Sequence, residues 1–156
     1  TAVLAHALAL IRRDILHLPV PDPDRCAVAA LYHDASEILT GDLPTPIKYY
    51  NPEIKTAYKQ VERVAGERLL NMLPPELRAS YEHDVLEDDE ALAPIVKGAD
   101  KLSAHIKCLE EQKAGNTEFD TAARQTWEAI QTMNRPELDW FVEHCLGAFA
   151  LNLDQL

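Results

Sequence analysis

Six apolar residues in a row, Cys26 to Leu31, leave no polar side to a helix, and within six further positions the chain places His33, Asp34, Ser36 and Glu37. A helical stretch that is apolar all round has to be covered by other elements. The segment, which Asp24 can cap and which is predicted to run to about Leu39, is therefore expected deep in the fold. Ionisable groups in such a place need partners, because burying a charge without one is costly. Whatever this chain folds into must surround that helix.

The surrounding elements read as helices. Val3, Leu4, Ala7, Leu8, Ile11 and Ile15 recur at helical spacing until Pro19, Pro21 and Pro23 stop the pattern. Ile54, Ala57, Tyr58, Val61, Ala65, Leu69 and Met72 mark a long amphipathic helix ending at Pro74-Pro75, with a short helix predicted from Glu76 to about Tyr81. Leu92, Ile95, Val96, Ala99, Leu102, Ser103, Ile106 and Leu109 form a well-phased stripe that Gly115-Asn116 closes. Two more helices are expected, at about 118–133 and 137–151, the second with Leu138, Phe141, Val142, Cys145 and Phe149 on one face. Composition agrees: Ala and Leu supply 42 residues against 16 for Val plus Ile, an excess of helix formers over β-branched residues. With 156 residues and no internal repeat or linker, the expectation is one all-α domain, residues 1–156, built as a bundle of about six or seven helices. Between the helices, Thr40-Gly41-Asp42-Leu43-Pro44-Thr45-Pro46 reads as a rigid, ordered loop.

Charge and cysteine content narrow the function. Fifteen Lys plus Arg against 26 Asp plus Glu give a net charge of −11, which argues against a general grip on a nucleic-acid polymer. An anionic small molecule could still bind where a metal or an arginine reverses the field locally. Cys26, Cys108 and Cys145 are odd in number and widely spaced, so no disulfide framework is indicated and a reducing cytoplasm is the expected setting. No apolar run approaches the roughly 18 residues of a membrane span. Thr1 already stands inside a helical pattern, and residues upstream of it are expected to be missing.

Within the buried-looking helix, adjacent His33 and Asp34 would lie about 100° apart, close enough for an imidazole nitrogen and a carboxylate oxygen to reach one ion. Glu37, four residues from His33 and three from Asp34, shares their face. The plain alternative is a hydrogen-bonded core histidine beside a salt-bridged aspartate. His83-Asp84 serves as an internal control: six of the nine residues 82–90 are acidic, and this second pair reads as solvated surface. A metal needs further ligands, and Asp100, bordering the apolar stripe, is the best candidate. Taken alone it reads more readily as a salt-bridge partner of Lys97 or Lys101, so its ligand role rests on the wider pattern. His105 and His144 have no comparable acidic neighbour and are expected to be structural.

His33-Asp34, Asp100 and the loop after Glu37 resemble the HD-domain metal-dependent phosphohydrolases. The segment Tyr32-His33-Asp34-Ala35-Ser36-Glu37-Ile38-Leu39-Thr40-Gly41-Asp42-Leu43-Pro44-Thr45-Pro46-Ile47-Lys48-Tyr49 is similar to the bacterial 5′-deoxynucleotidase (YfbR-like) family, as are Lys107-Cys108-Leu109-Glu110-Glu111 and Ala114-Gly115-Asn116. The resemblance implies a single HD-domain helical bundle, a homodimer, and hydrolysis of deoxyribonucleoside 5′-monophosphates with a divalent ion such as Co²⁺ or Mn²⁺. It implies metal ligation by His33, Asp34 and Asp100, proton handling by Glu37, and a substrate loop of Asp42, Leu43, Pro44 and Thr45. Asp42 stands near the catalytic centre, and Asp34 and Asp100 also border the substrate. Lys48 is a weaker candidate for phosphate. The family's first metal-ligating histidine and its phosphate-orienting arginine and neighbouring tryptophan belong upstream of Thr1, and His6 does not replace that histidine. Weak metal occupancy and low activity are the matching expectation for residues 1–156 alone. Two other readings stay open: an HD phosphohydrolase acting on a cyclic nucleotide, a dNTP or an alarmone, and a non-catalytic helical module that binds a nucleotide or a protein.

Overall fold

A computed structural model describes residues 1–42, 52–86, 89–151 and 153–155. Every regular element among them is helical, with seven α-helices of nine residues or more and one single turn. Contacts gather the chain into two compact units, Thr1–Ala30 with Ala91–Leu156, and Leu31–Glu90. Among the described residues no helix is long and apolar enough to cross a membrane.

The first unit holds nearly all of the apolar core. Helix α1 (Ala2–Leu10) packs along the central helix α6 (Ala93–Lys113), with Ala5, Leu8 and Ala9 joining Ile95, Ala99, Leu102 and Ile106 in one cluster. Ile130 of α7 (Asp120–Thr132) and Leu138 and Phe141 of α8 (Pro136–His144) complete it. Each of the large side chains buried there is worth about 1.5–3 kcal/mol. Gly98 lets α8 approach closely, since a Cβ there would stand 3.3 Å from Leu138 Cδ1. Helix α6 ends as its glycine predicts: Gly115 adopts φ 85°, and the Asn116 and Gly115 amides donate back to the Glu111 and Gln112 carbonyls.

Three expectations for this unit need correction. Val3 and Ile15 are exposed, and Ala5 and Ala9 take the inner positions instead. The helix tightens its contact through small residues, and the π-helical turn Ile11–Ile15 adds a residue that rotates Ile15 out of phase. Helix α2 (Pro23–Tyr32) is capped by Asp22, whose Oδ1 accepts from the Asp24 and Arg25 amides, rather than by Asp24. Nor is α2 covered all round: Cys26 and Ala30 are buried, but Leu31, the first residue of the second unit, is 67% exposed.

The second unit is leaner in apolar burial. It contains the single turn α3 (Glu37–Thr40), the long α4 (Pro52–Asn71) and α5 (Pro75–Leu86). Ala65, Gly66 and Leu70 of α4 are buried, and a Cβ on Gly66 would come within 3.0 Å of Leu86 Cδ2. Arg78 closes the α4–α5 corner by donating to the carbonyls of Leu73 and Asn71, both at 3.1 Å. Val61 and Met72, expected in the stripe, are exposed. The second helix runs on to Leu86 instead of stopping near Tyr81, which turns Asp84 inward.

Candidate functional site

The pair singled out in the sequence does not sit in a continuous helix. Helix α2 stops at Tyr32, and His33 to Ser36 form turns before α3 begins. The Ala35 amide donates to the Tyr32 carbonyl at 2.8 Å and the Glu37 amide to the Asp34 carbonyl at 3.0 Å. The expected run to Leu39 is thus broken, and the helical angle between neighbours no longer applies. The turn itself brings the two side chains together. His33 Nε2 lies 3.0 Å from Asp34 Oδ2, with 16% of the histidine side chain and 56% of the aspartate side chain exposed.

That spacing suits two donors of one cation, because ligand atoms about 2.1 Å from an ion and at right angles stand about 3 Å apart. The donor set, one imidazole nitrogen and one carboxylate oxygen, suits a divalent transition metal. Among the described residues no group of three or more His, Cys, Asp or Glu side chains is gathered as a metal cluster. Asp100 belongs to the first unit, half-exposed on α6, where Lys101 Nζ donates to its Oδ2 at 3.2 Å. The ion pair its neighbours suggested is therefore real, though a pair this exposed holds the carboxylate weakly.

Glu37 is half-buried at the start of α3. The Gly41 amide closes the turn on the Glu37 carbonyl at 2.9 Å. Gly41 itself has φ 71° and ψ 162°, a region essentially reserved for glycine. Its carbonyl accepts from Tyr58 Oη of α4 at 2.8 Å and from Thr40 Oγ1 at 3.0 Å. Asp42 follows, exposed. Leu43, Pro44, Thr45 and Lys48 lie outside the described residues.

Three other histidines have partners within the first unit. His105 is buried, with Nδ1 3.0 Å from Thr126 Oγ1 and its ring beside Trp127; burial holds its pKa below the ordinary 6.5. His144 stacks on Trp140, at a centroid distance of 4.3 Å, and meets that residue's carbonyl. His6 Nε2 stands 3.3 Å from Asp24 Oδ1. The control pair departs from its reading: His83 is exposed, but Asp84 is buried, with 6% of its surface accessible.

Three features escaped the sequence reading. Glu137 is 1% exposed, held by Arg12 Nη1 at 2.8 Å and Arg135 Nε at 2.9 Å. Only the proximity of Arg135 hinted at it, and Arg12 is 125 positions away. Tyr58 was counted as an apolar stripe residue, and no local signal separates a packing tyrosine from one whose hydroxyl has a target. Asp84 was hidden by its acidic neighbours.

A helical chain that brings a histidine and an aspartate together at a helix end, with a glutamate three residues on, is consistent with the resemblance to the HD-type phosphohydrolases. The chain matches the family described as 5′-deoxynucleotidase YfbR-like over residues 1–149, and it belongs to that family. It is 46% identical to the 5′-deoxynucleotidase of Erwinia tasmaniensis, across 99% of this chain and 79% of that relative. It is 42% identical to the 5′-deoxynucleotidase of Shewanella oneidensis and 45% identical to that of Vibrio vulnificus, in each case across 99% of this chain and 80% of the relative.

Proposed function

We propose that this protein is a metal-dependent 5′-deoxynucleotidase, hydrolysing deoxyribonucleoside 5′-monophosphates to the deoxynucleoside and phosphate. Family membership supports the enzyme class. The observation that carries the chemistry is the 3.0 Å approach of His33 Nε2 to Asp34 Oδ2 in the turn ahead of Glu37. In this reading His33, Asp34 and Asp100 serve as ligands of a divalent ion, Co²⁺ or Mn²⁺. When bound, such an ion activates water and offsets phosphate charge, which a chain of net charge −11 needs locally.

The chain's own groups supply the remaining steps. In this reading Glu37, half-buried at the start of α3, carries a proton to the departing 5′ oxygen. Asp42 holds the sugar hydroxyl or orders the attacking water, and Leu43, Pro44 and Thr45 shape the substrate loop. Asp34 and Asp100 border the substrate as well as the ion. On the same reading residues 1–156 are a single HD domain, and the protein is a homodimer. Cys26, Cys108 and Cys145 are all free thiols, which suits a reducing cytoplasm.

The test is phosphate release from dAMP, AMP, dATP and a cyclic nucleotide by the full-length protein, with Co²⁺ and Mn²⁺ added in turn. Turnover of dAMP well above the other three is the expected result. Preference for the triphosphate or the cyclic ester, or no hydrolysis of dAMP with either metal, overturns the reading.

A further inference from the structure

We infer that Tyr58 is a positioning residue for Asp42, acting through the Gly41 carbonyl; this rests on the proposed role of Asp42 in the deoxynucleotidase reaction. The phenol of Tyr58, on α4, reaches across 17 positions of sequence to donate to that carbonyl at 2.8 Å. The acceptor belongs to the Gly41–Asp42 peptide group, so whatever fixes this carbonyl fixes the plane from which Asp42 departs. Thr40 Oγ1 approaches the same oxygen at 3.0 Å and lies 3.5 Å from the Tyr58 hydroxyl. The Thr40 hydroxyl has a second acceptor, the Ser36 carbonyl at 3.4 Å. It has one proton to give, whereas a carbonyl has two lone pairs. Tyr58 is therefore the closer donor to that carbonyl.

The peptide needs holding because of the conformation it adopts. Gly41 at φ 71° and ψ 162° occupies a region that only glycine populates readily, and glycine itself has many alternatives. Among the described residues nothing lies within 4 Å of the place a Gly41 Cβ would occupy, so their packing around that point does not select the conformation. Hydrogen bonds do: the Gly41 amide to Glu37 on one side of the residue, and its carbonyl to Tyr58 on the other. The tie to Glu37 also makes the turn that bears the proposed proton carrier continuous with the residue that Tyr58 anchors.

The decisive experiment is a double-mutant cycle of Tyr58→Phe and Asp42→Asn, read by kcat/KM on dAMP and by amide exchange. Phenylalanine keeps the ring and removes the donor. Tyr58→Phe alone is expected to lower kcat/KM roughly fivefold to tenfold, the size of one lost neutral hydrogen bond, and to change it less than about twofold in the Asp42→Asn background. The Gly41 amide should exchange roughly tenfold faster in Tyr58→Phe while amides of α5 keep their protection. Equal losses in both backgrounds, or unchanged Gly41 exchange, would overturn the positioning role. If Asp42→Asn reduces activity below measurement, the exchange result decides. Wild-type kinetics from Asp42→Asn would instead remove the proposed role of Asp42, an outcome distinct from additivity in the cycle.

Discussion

His33-Asp34 and His83-Asp84 carry the same two side chains in the same order, and the backbone beneath them gives opposite results. In the first pair the helix has ended, and successive turns bring imidazole and carboxylate to 3.0 Å with the histidine inward. In the second pair α5 continues, so neighbours point about 100° apart, leaving His83 in solvent and Asp84 inside. In this chain the two side chains meet where regular helix gives way and part where it continues. The first carboxylate is exposed beside its histidine, and the second is buried in the fold.

This contrast predicts different kinds of damage. Asp34→Ala should show the largest effect, a loss of about 10³-fold or more in kcat/KM on dAMP with reduced metal content, while the metal-free protein keeps its thermal midpoint. Retained turnover measured by steady-state kinetics would break the distinction at its strongest point. Asp84→Ala should instead lower unfolding free energy by about 1–3 kcal/mol, the cost of disturbing a buried polar group, while kcat stays near wild type. Urea denaturation checks this, with His83→Ala as the exposed control expected within about 0.5 kcal/mol of wild type.

The smallest effect concerns the buried His105. Burial lowers the pKa of His105 from its ordinary 6.5, so the unfolded chain takes up a proton more readily than the folded one. Its contribution to stability is complete above pH 6.5 and falls as the pH drops through the depressed folded value. Thermal midpoints measured from pH 7.5 downward should show an acid-side decline that His105→Gln makes shallower. An identical decline in the variant would assign it to other groups.

Much of the scaffold was legible in the residues. The stripe of α6 was read nearly position for position, because a helix buried along one face must repeat its apolar residues near every third or fourth place. Gly115 was read as a helix end because a left-handed residue is needed there. The α1 face was read less well, since Ala5 and Ala9 are too small to announce themselves, and a π turn shifts phase without a local signature. The site was legible in its residue types but less so in its geometry. His33, Asp34 and Glu37 were named, yet as members of one helix, and the break at Tyr32 carries neither glycine nor proline to mark it.

The sequence alone determined the helical class, the principal apolar faces, the glycine at position 41 and the residues that resemble an HD-type site. These depend on local periodicity and backbone preference, which neighbouring residues carry in themselves. Only tertiary structure decided which His-Asp pair closes, that Asp84 and Glu137 lie inside, and that the Tyr58 hydroxyl meets Gly41. Whether a polar atom is desolvated, and what it then bonds to, is set by groups far away along the chain.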